Sequence, residues 1–267
     1  MDVGMHRGED TRYYLEKGFR VIAIEARADF VQENRAQFAE QIERGSLEIV
    51  HSAISDTEGT IPFHVFPGAS VWGTADPRYR QRNEAMGFAS NEIFVPATRF
   101  ESILGRYGIP YYLKVDIEGL DLLCLQALHE FRQRPAYVSV ELTMTNFDAA
   151  FESVASLFNL GYRKFKLVNQ PMNAKRRDPY PAREGVYVGK RFQHGMSGLF
   201  GLDLPGEWLS TEQIVAAIWI RLKLQHLFSR SFAHRLAGRT YAAIARRVGG
   251  DPLGWWDLHA STPVTTS

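Results

Sequence analysis

Short apolar, β-branched runs alternate along this chain with stretches of helical periodicity. Strands are predicted over residues 21–25, 47–51, 112–116, 136–142, 162–168 and 185–189. Between the first two, residues 28–44 read as one helix, with Phe30, Val31, Phe38 and Ile42 facing inward and Gly45 as its stop. Further helices are expected over 9–17, 100–107, 119–131 and 148–159. Such alternation belongs to a doubly wound α/β fold, a mostly parallel sheet with helices on both faces. Residues 61–66 read as a short strand after the turn Asp56-Thr57-Glu58-Gly59, and residues 67–97 as one long loop holding Trp72 and Tyr79.

The rhythm changes near residue 192, which divides the chain into a domain of residues 1–192 and a mainly helical extension, 193–267. Ser210 and Gln213 have capping-box spacing, so a helix should begin there. Between Ile214 and Gly250 there are seven Lys or Arg and no Asp or Glu. Arg221, Lys223, Arg230, Arg235, Arg239, Arg246 and Arg247 accompany Trp219, Leu222, Leu227 and Phe232, a mixture compatible with peripheral contact to an anionic membrane face. An extension packed on its own domain, with Trp255-Trp256-Asp257 as its anchor, is the favoured reading. Over the whole chain 31 basic residues face 30 acidic ones, so net charge gives no case for nucleic acid as a partner. The lone Cys124 excludes an internal disulfide, and its apolar neighbours mark it as a small core residue. With no secretory signal or membrane-spanning run, a cytoplasmic protein is expected.

The chemistry is concentrated at the ends of the predicted strands. Asp2-Val3-Gly4-Met5-His6-Arg7-Gly8 places two glycines where the first strand turns into its helix. It lacks the third glycine of a nicotinamide dinucleotide turn, which disfavours an oxidoreductase. A sulfonium cofactor instead presents an amino acid and a ribose: Asp2 is placed to meet its ammonium, and Glu25, ending the next strand, to accept its ribose hydroxyls. Gly8 and Glu25 are separated by close to the roughly 20 residues of a Rossmann-type ribose binder. Asp116 and Glu118 follow the strand 112–116; two carboxylates there can take a proton or hold a divalent metal ion, while Glu118 can equally cap the following helix. His64 is a further candidate base, and Ser70-Val71-Trp72-Gly73-Thr74 a candidate lid. Lys175-Arg176-Arg177 reads as a solvated turn, with an anionic acceptor as the lesser alternative.

Asp2-Val3-Gly4 with Gly8, then Glu25, then Ala53-Ile54-Ser55-Asp56 with Gly59, then Leu113-Lys114-Val115-Asp116-Ile117-Glu118-Gly119, occur in the order and spacing of the FkbM-type methyltransferases. The chain resembles that family over about residues 2–128. The resemblance implies a class I, Rossmann-like fold binding S-adenosylmethionine, with methyl transfer to a hydroxyl of a sugar, glycan or natural product. It puts Asp2, Gly4 and Gly8 around the methionine end, Glu25 on the ribose, Ser55 and Asp56 beside the adenine, and Asp116 toward cofactor and acceptor. His6 departs from the small amide side chain usual in the family. A non-catalytic carbohydrate-modifying accessory or binding protein with the same fold is the competing reading. The apolar run that should lead into Asp2 is missing, so the first strand reads as truncated and the natural chain is expected to begin upstream.

Overall fold

A computed structural model describes residues 1–142, 147–193, 195–229 and 255–262. The chain forms two compact units, Met1–Val138 and Ser139–Ser267. The first unit opens with β1 (Asp2–Val3), α1 (Glu9–Glu16), β2 (Val21–Glu25), α2 (Ala28–Gln37), α3 (Ala39–Glu43) and β3 (Leu47–His51). It continues through β4 (Ala53–Ile54), β5 (Gly59–Val65), α4 (Pro77–Ala85), β6 (Asn91–Thr98), α5 (Phe100–Tyr107), β7 (Tyr112–Val115) and α6 (Asp121–Ala127). β8 (Tyr137–Leu142) carries the chain into the second unit, which holds α7 (Phe147–Asn159), β9 (Lys164–Asn169), α8 (Thr211–Ser229) and β10 (Trp256–Ser261).

In the first unit the order β3-β2-β1-β7 is parallel throughout. All five residues of β2 and all four of β7 are buried, as expected of strands covered on both faces. The chain winds outward from β1 through β2 to β3 and returns to β7 on the other side of β1. The order therefore reverses between β1 and β7, and such a switch point is where open α/β sheets bind their ligands. This is the α/β, Rossmann-like architecture that the alternation of elements predicts.

Three expectations need correction. The helix expected over 28–44 is two helices, because Phe38 leaves helical geometry (φ −112°, ψ 22°) and buries its ring against Gly8. The long loop is structured: Ser70–Trp72 form a 3-10 turn, α4 starts at Pro77 with Asp76 accepting from Arg78 N at 2.7 Å, and β6 is the middle strand of a small sheet, β4-β6-β5. The strand expected over 185–189 is absent. Its glycines have positive φ, and Val188 N donates to the Asp178 carboxylate at 2.8 Å instead of to a ladder.

In the second unit β10 lies between β8 and β9 and runs antiparallel to β9. α7 packs on α8, and α8 on β9. The capping box forms as predicted, with Gln213 N donating to Ser210 Oγ at 3.3 Å and Ser210 N to Gln213 Oε1 at 2.8 Å. Trp256 is fully buried and Arg221 lies 4.7 Å over its ring, so that arginine packs inward. Arg230, Arg235, Arg239, Arg246 and Arg247 fall outside the described residues, and no helix among the described ones is long and apolar enough to cross a membrane.

Gly8 shows how closely the turn region is packed. It caps α1 at φ 79°, and a Cβ there would stand 2.5 Å from Phe38 and 2.7 Å from Asn34 Oδ1. Gly8→Ala is expected to lower unfolding stability by at least about 2 kcal/mol, through left-handed strain plus overpacking. Urea denaturation of both proteins measures this; an unchanged midpoint would refute it.

Candidate active site

The turn after β1 and the turn after β7 meet at the switch point. Gly4 N and Met5 N both donate to Ile24 O at 3.0 Å, and Asp116 N donates to Val3 O at 3.0 Å. Gly4 has φ 88°, and a Cβ there would come 2.0 Å from the Asp116 carbonyl oxygen, so the approach of the two turns requires glycine.

Two residues beside these turns take a backbone conformation that side chains disfavour. His6 and Glu118, both at φ 51°, are the non-glycine residues with positive φ among those described. Each is held by several bonds. His6 N donates to Glu25 Oε2 at 2.8 Å, its carbonyl accepts from Asn34 Nδ2 at 2.6 Å, and its Nε2 lies 3.2 Å from Ser70 Oγ. The Glu118 carbonyl accepts from Thr74 Oγ1 at 2.7 Å, and its carboxylate accepts from Arg82 at 3.2 Å. The segment 70–82 is thus a strap fastened to both turns. Trp72 stacks edge to face on Phe88 at 4.7 Å, which favours its packing role.

Beneath the turns lies Lys114, a residue that sequence reasoning missed. Its amine is buried and stands 3.2 Å from Asp2, 3.7 Å from Asp10, 3.7 Å from Asp116 and 3.4 Å from the Gly4 carbonyl. Burial alone would depress the amine, but Asp2, Asp116 and Asp10 outweigh it and hold its pKa well above the usual lysine range. Asp2 is wholly buried and also accepts from Thr11 Oγ1 at 2.6 Å. The Asp116 side chain is 38% exposed, so it is the member of this network that reaches solvent.

Glu25 accepts from Arg27 N at 2.9 Å as well as from His6 N. Burial raises its pKa, and those two N–H groups partly offset the rise. In the β7 turn, burial and then the neighbouring Asp116 push Glu118 up to about 8, against the opposing pull of Arg82. Burial and Asp116 likewise push Asp121 up to about 6, despite donation from Ile117 N and Gly119 N. Asp116 and Glu118 bring carboxylate oxygens within 4.8 Å of each other.

Ser55 and Asp56 stand apart from this group, on the turn from β4 to β5. Ser55 N donates to Thr98 O at 3.1 Å, and Ser55 Oγ bonds within the turn to Asp56 and Thr57. The residue bonded to the end of β2 is Ser52, whose N donates to Glu25 O at 2.9 Å. His64 is buried, with its backbone paired to Thr74.

The sequence family model for the methyltransferase FkbM domain matches residues 2–164, which include the turns after β1 and β7 and Glu25. The chain belongs to the FkbM methyltransferase family. Neither the curated proteins nor the solved structures compared with it gave a match.

Two consequences of this geometry can be measured on the methyltransferase. Lys114→Met removes one cation and leaves Asp2, Asp10 and Asp116 facing one another, so a loss of about 3–5 kcal/mol in unfolding stability is expected; a loss under about 1 kcal/mol would show that the network is not structural. Glu118 has a native pKa raised from 4.5 to about 8, so its contribution is intact below pH 4.5 and is lost as pH rises through 8. Glu118→Gln should therefore flatten the fall of stability across that window. Parallel stability curves for mutant and parent, taken by urea denaturation at several pH values, would contradict the assignment.

Proposed function

We propose that this methyltransferase uses S-adenosylmethionine and methylates a hydroxyl oxygen of a sugar, glycan or natural product. The observation that carries the reading is Glu25, a carboxylate ending β2 beside the glycine turn at the switch point. Each carboxylate oxygen has more than one acceptor site, so after accepting from His6 N and Arg27 N it keeps capacity for a pair of vicinal hydroxyls. That acceptor set fits a ribose. When bound, the cofactor supplies an electrophilic methyl group.

The chain's own residues then divide the remaining work. Gly4 lets the β1 turn lie against Asp116, and His6 holds Glu25 in place through its backbone N–H. Asp2, being enclosed, serves by anchoring Lys114, and Gly8 by seating α1 against Phe38. We assign Asp116 as the group facing the acceptor. Its Oδ2 lies toward Lys114, leaving Oδ1 to orient the acceptor hydroxyl and take its proton. Glu118, protonated near neutral pH and bonded to Arg82, is better suited to donating a hydrogen bond than to ligating a hard cation. The strap of residues 70–82 covers this side and is where acceptor preference is expected to reside. Ser55 and Asp56, on the turn from β4 to β5, remain the adenine candidates.

Calorimetric titration with S-adenosylmethionine should give saturable binding, weakened about tenfold or more in Glu25→Gln, because a charged acceptor of two hydroxyls is lost. Asp116→Ala should keep that binding and lose turnover on hydroxylated sugars by about 100-fold. Absence of saturable binding by the folded protein would sink the enzyme reading in favour of an accessory role. Full turnover in Asp116→Ala would sink the proton assignment alone.

A further inference from the structure

In the β9–β10 ladder His259 lies directly opposite Lys166. Directly paired residues in an antiparallel ladder project from one face, and so do residues two apart along each strand. One face therefore carries Asp257, His259 and Ser261 beside Lys164 and Lys166, and the other carries Trp256, Leu258 and Ala260 beside Phe165. Both sets on β10 are buried, so the polar face is enclosed by the chain itself.

Basic side chains gather beside this face. Lys166 is 6% exposed; its amine donates to the Leu204 carbonyl at 2.6 Å and the Pro205 carbonyl at 3.3 Å, and lies 4.8 Å from the Trp208 ring. Burial, and then the positive charges of Arg183 and Arg176, lower its pKa to about 8. Arg176 donates to Asn173 Oδ1 at 2.7 Å and feels the carboxylate of Asp257. Asp257 is itself bonded to Gln170 Nε2 at 2.5 Å. Among the described residues, none of Lys166, Arg176 and Arg183 forms an ion pair.

His259 is the second, independent sign. Its ring is 1% exposed, and neither Nδ1 nor Nε2 has a hydrogen-bond partner. Burial and then Arg176 and Lys166 depress its pKa to about 3, so it is a neutral imidazole with one N–H and no acceptor for it. A buried donor left unsatisfied is costly, and natural proteins seldom keep one without a use.

We propose that Lys166, Arg176, Arg183 and the His259 ring form a binding site for the phosphoryl group of a ligand. Three basic side chains and one imidazole N–H stand as separate donors, and a phosphoryl group offers several oxygens to meet them at once. Arg176 and Arg183 supply fork-shaped donors, Lys166 a point charge, and the imidazole the missing N–H partnership. All four residues lie beyond residue 164, where the family match ends.

Imidazole resonances of the full-length protein, followed by NMR while inorganic phosphate replaces chloride at constant ionic strength, test the site directly. The His259 signals should move saturably. The exposed Arg183 can be changed without disturbing the core, and the dissociation constant should rise about tenfold in Arg183→Gln and further with Arg176→Gln added. Immobile His259 signals, unchanged affinity in the double variant, or acetate binding as tightly as phosphate would each overturn the assignment. Because no S-adenosylmethionine enters this measurement, its failure leaves the methyl-transfer reading untouched, and the reverse holds too.

Discussion

The Lys114 amine is a full positive charge held almost entirely out of water, and the carboxyl edge of the parallel sheet is organised around it. Removing a charge from water costs several kcal/mol even after relaxation, so the position persists only with close counter-charges. Asp2 on β1, Asp10 on α1 and Asp116 after β7 provide them. β1 itself contributes a two-residue ladder to each neighbour, which is little to hold a strand in the middle of a sheet. The ion network ties that short strand, the helix after it and the strand beside it into one piece. It also decides which carboxylate faces outward: Asp2 is used up in the interior, and Asp116 is the group that reaches solvent.

A second constraint acts from above. His6 and Glu118 sit in a backbone region that costs non-glycine residues about 1–3 kcal/mol each. Such residues persist only where the surroundings over-determine them, and here the strap joins Glu25 and Asn34 in doing so. Ser70 reaches one turn, while Thr74 and Arg82 reach the other. The strained residues and the strap therefore stabilise each other. Loosening one side would loosen the other, which couples the two turns through a segment belonging to neither.

The sequence made the sheet legible because strands buried on both faces carry continuous apolar runs, as Val21-Ile22-Ala23-Ile24 does. The glycine turn and the carboxylates ending β2 and β7 followed from position along those strands. What pattern could not supply was side-chain direction. Asp2 occupies the expected turn, yet its carboxylate points into the ion network, and Lys114 inside Leu113-Lys114-Val115 looks in sequence like any lysine near a strand end. α4 was invisible for another reason. Arg78-Tyr79-Arg80-Gln81-Arg82-Asn83 has no apolar stripe, so only the Asp76-Pro77 start betrayed it. β10 was hidden because it follows a basic stretch and pairs with a strand far earlier in the chain, a contact that local periodicity does not encode.

Polar burial is handled in opposite ways in the two units. Around Lys114 three carboxylates converge on one ammonium, so the network rigidifies the site beneath the strap. Beside His259 the cations repel one another and the imidazole lacks any partner, so burial there leaves a deficit. Stability alone would favour replacing those groups with apolar side chains of the same size, since the opposite face of the ladder is already packed with Trp256, Leu258 and Phe165. A network whose every member has a partner is what a scaffold needs. A mismatched one gains free energy when a ligand arrives, because the ligand satisfies groups that the fold has left waiting, and that difference separates a site that holds the structure from a site that receives something.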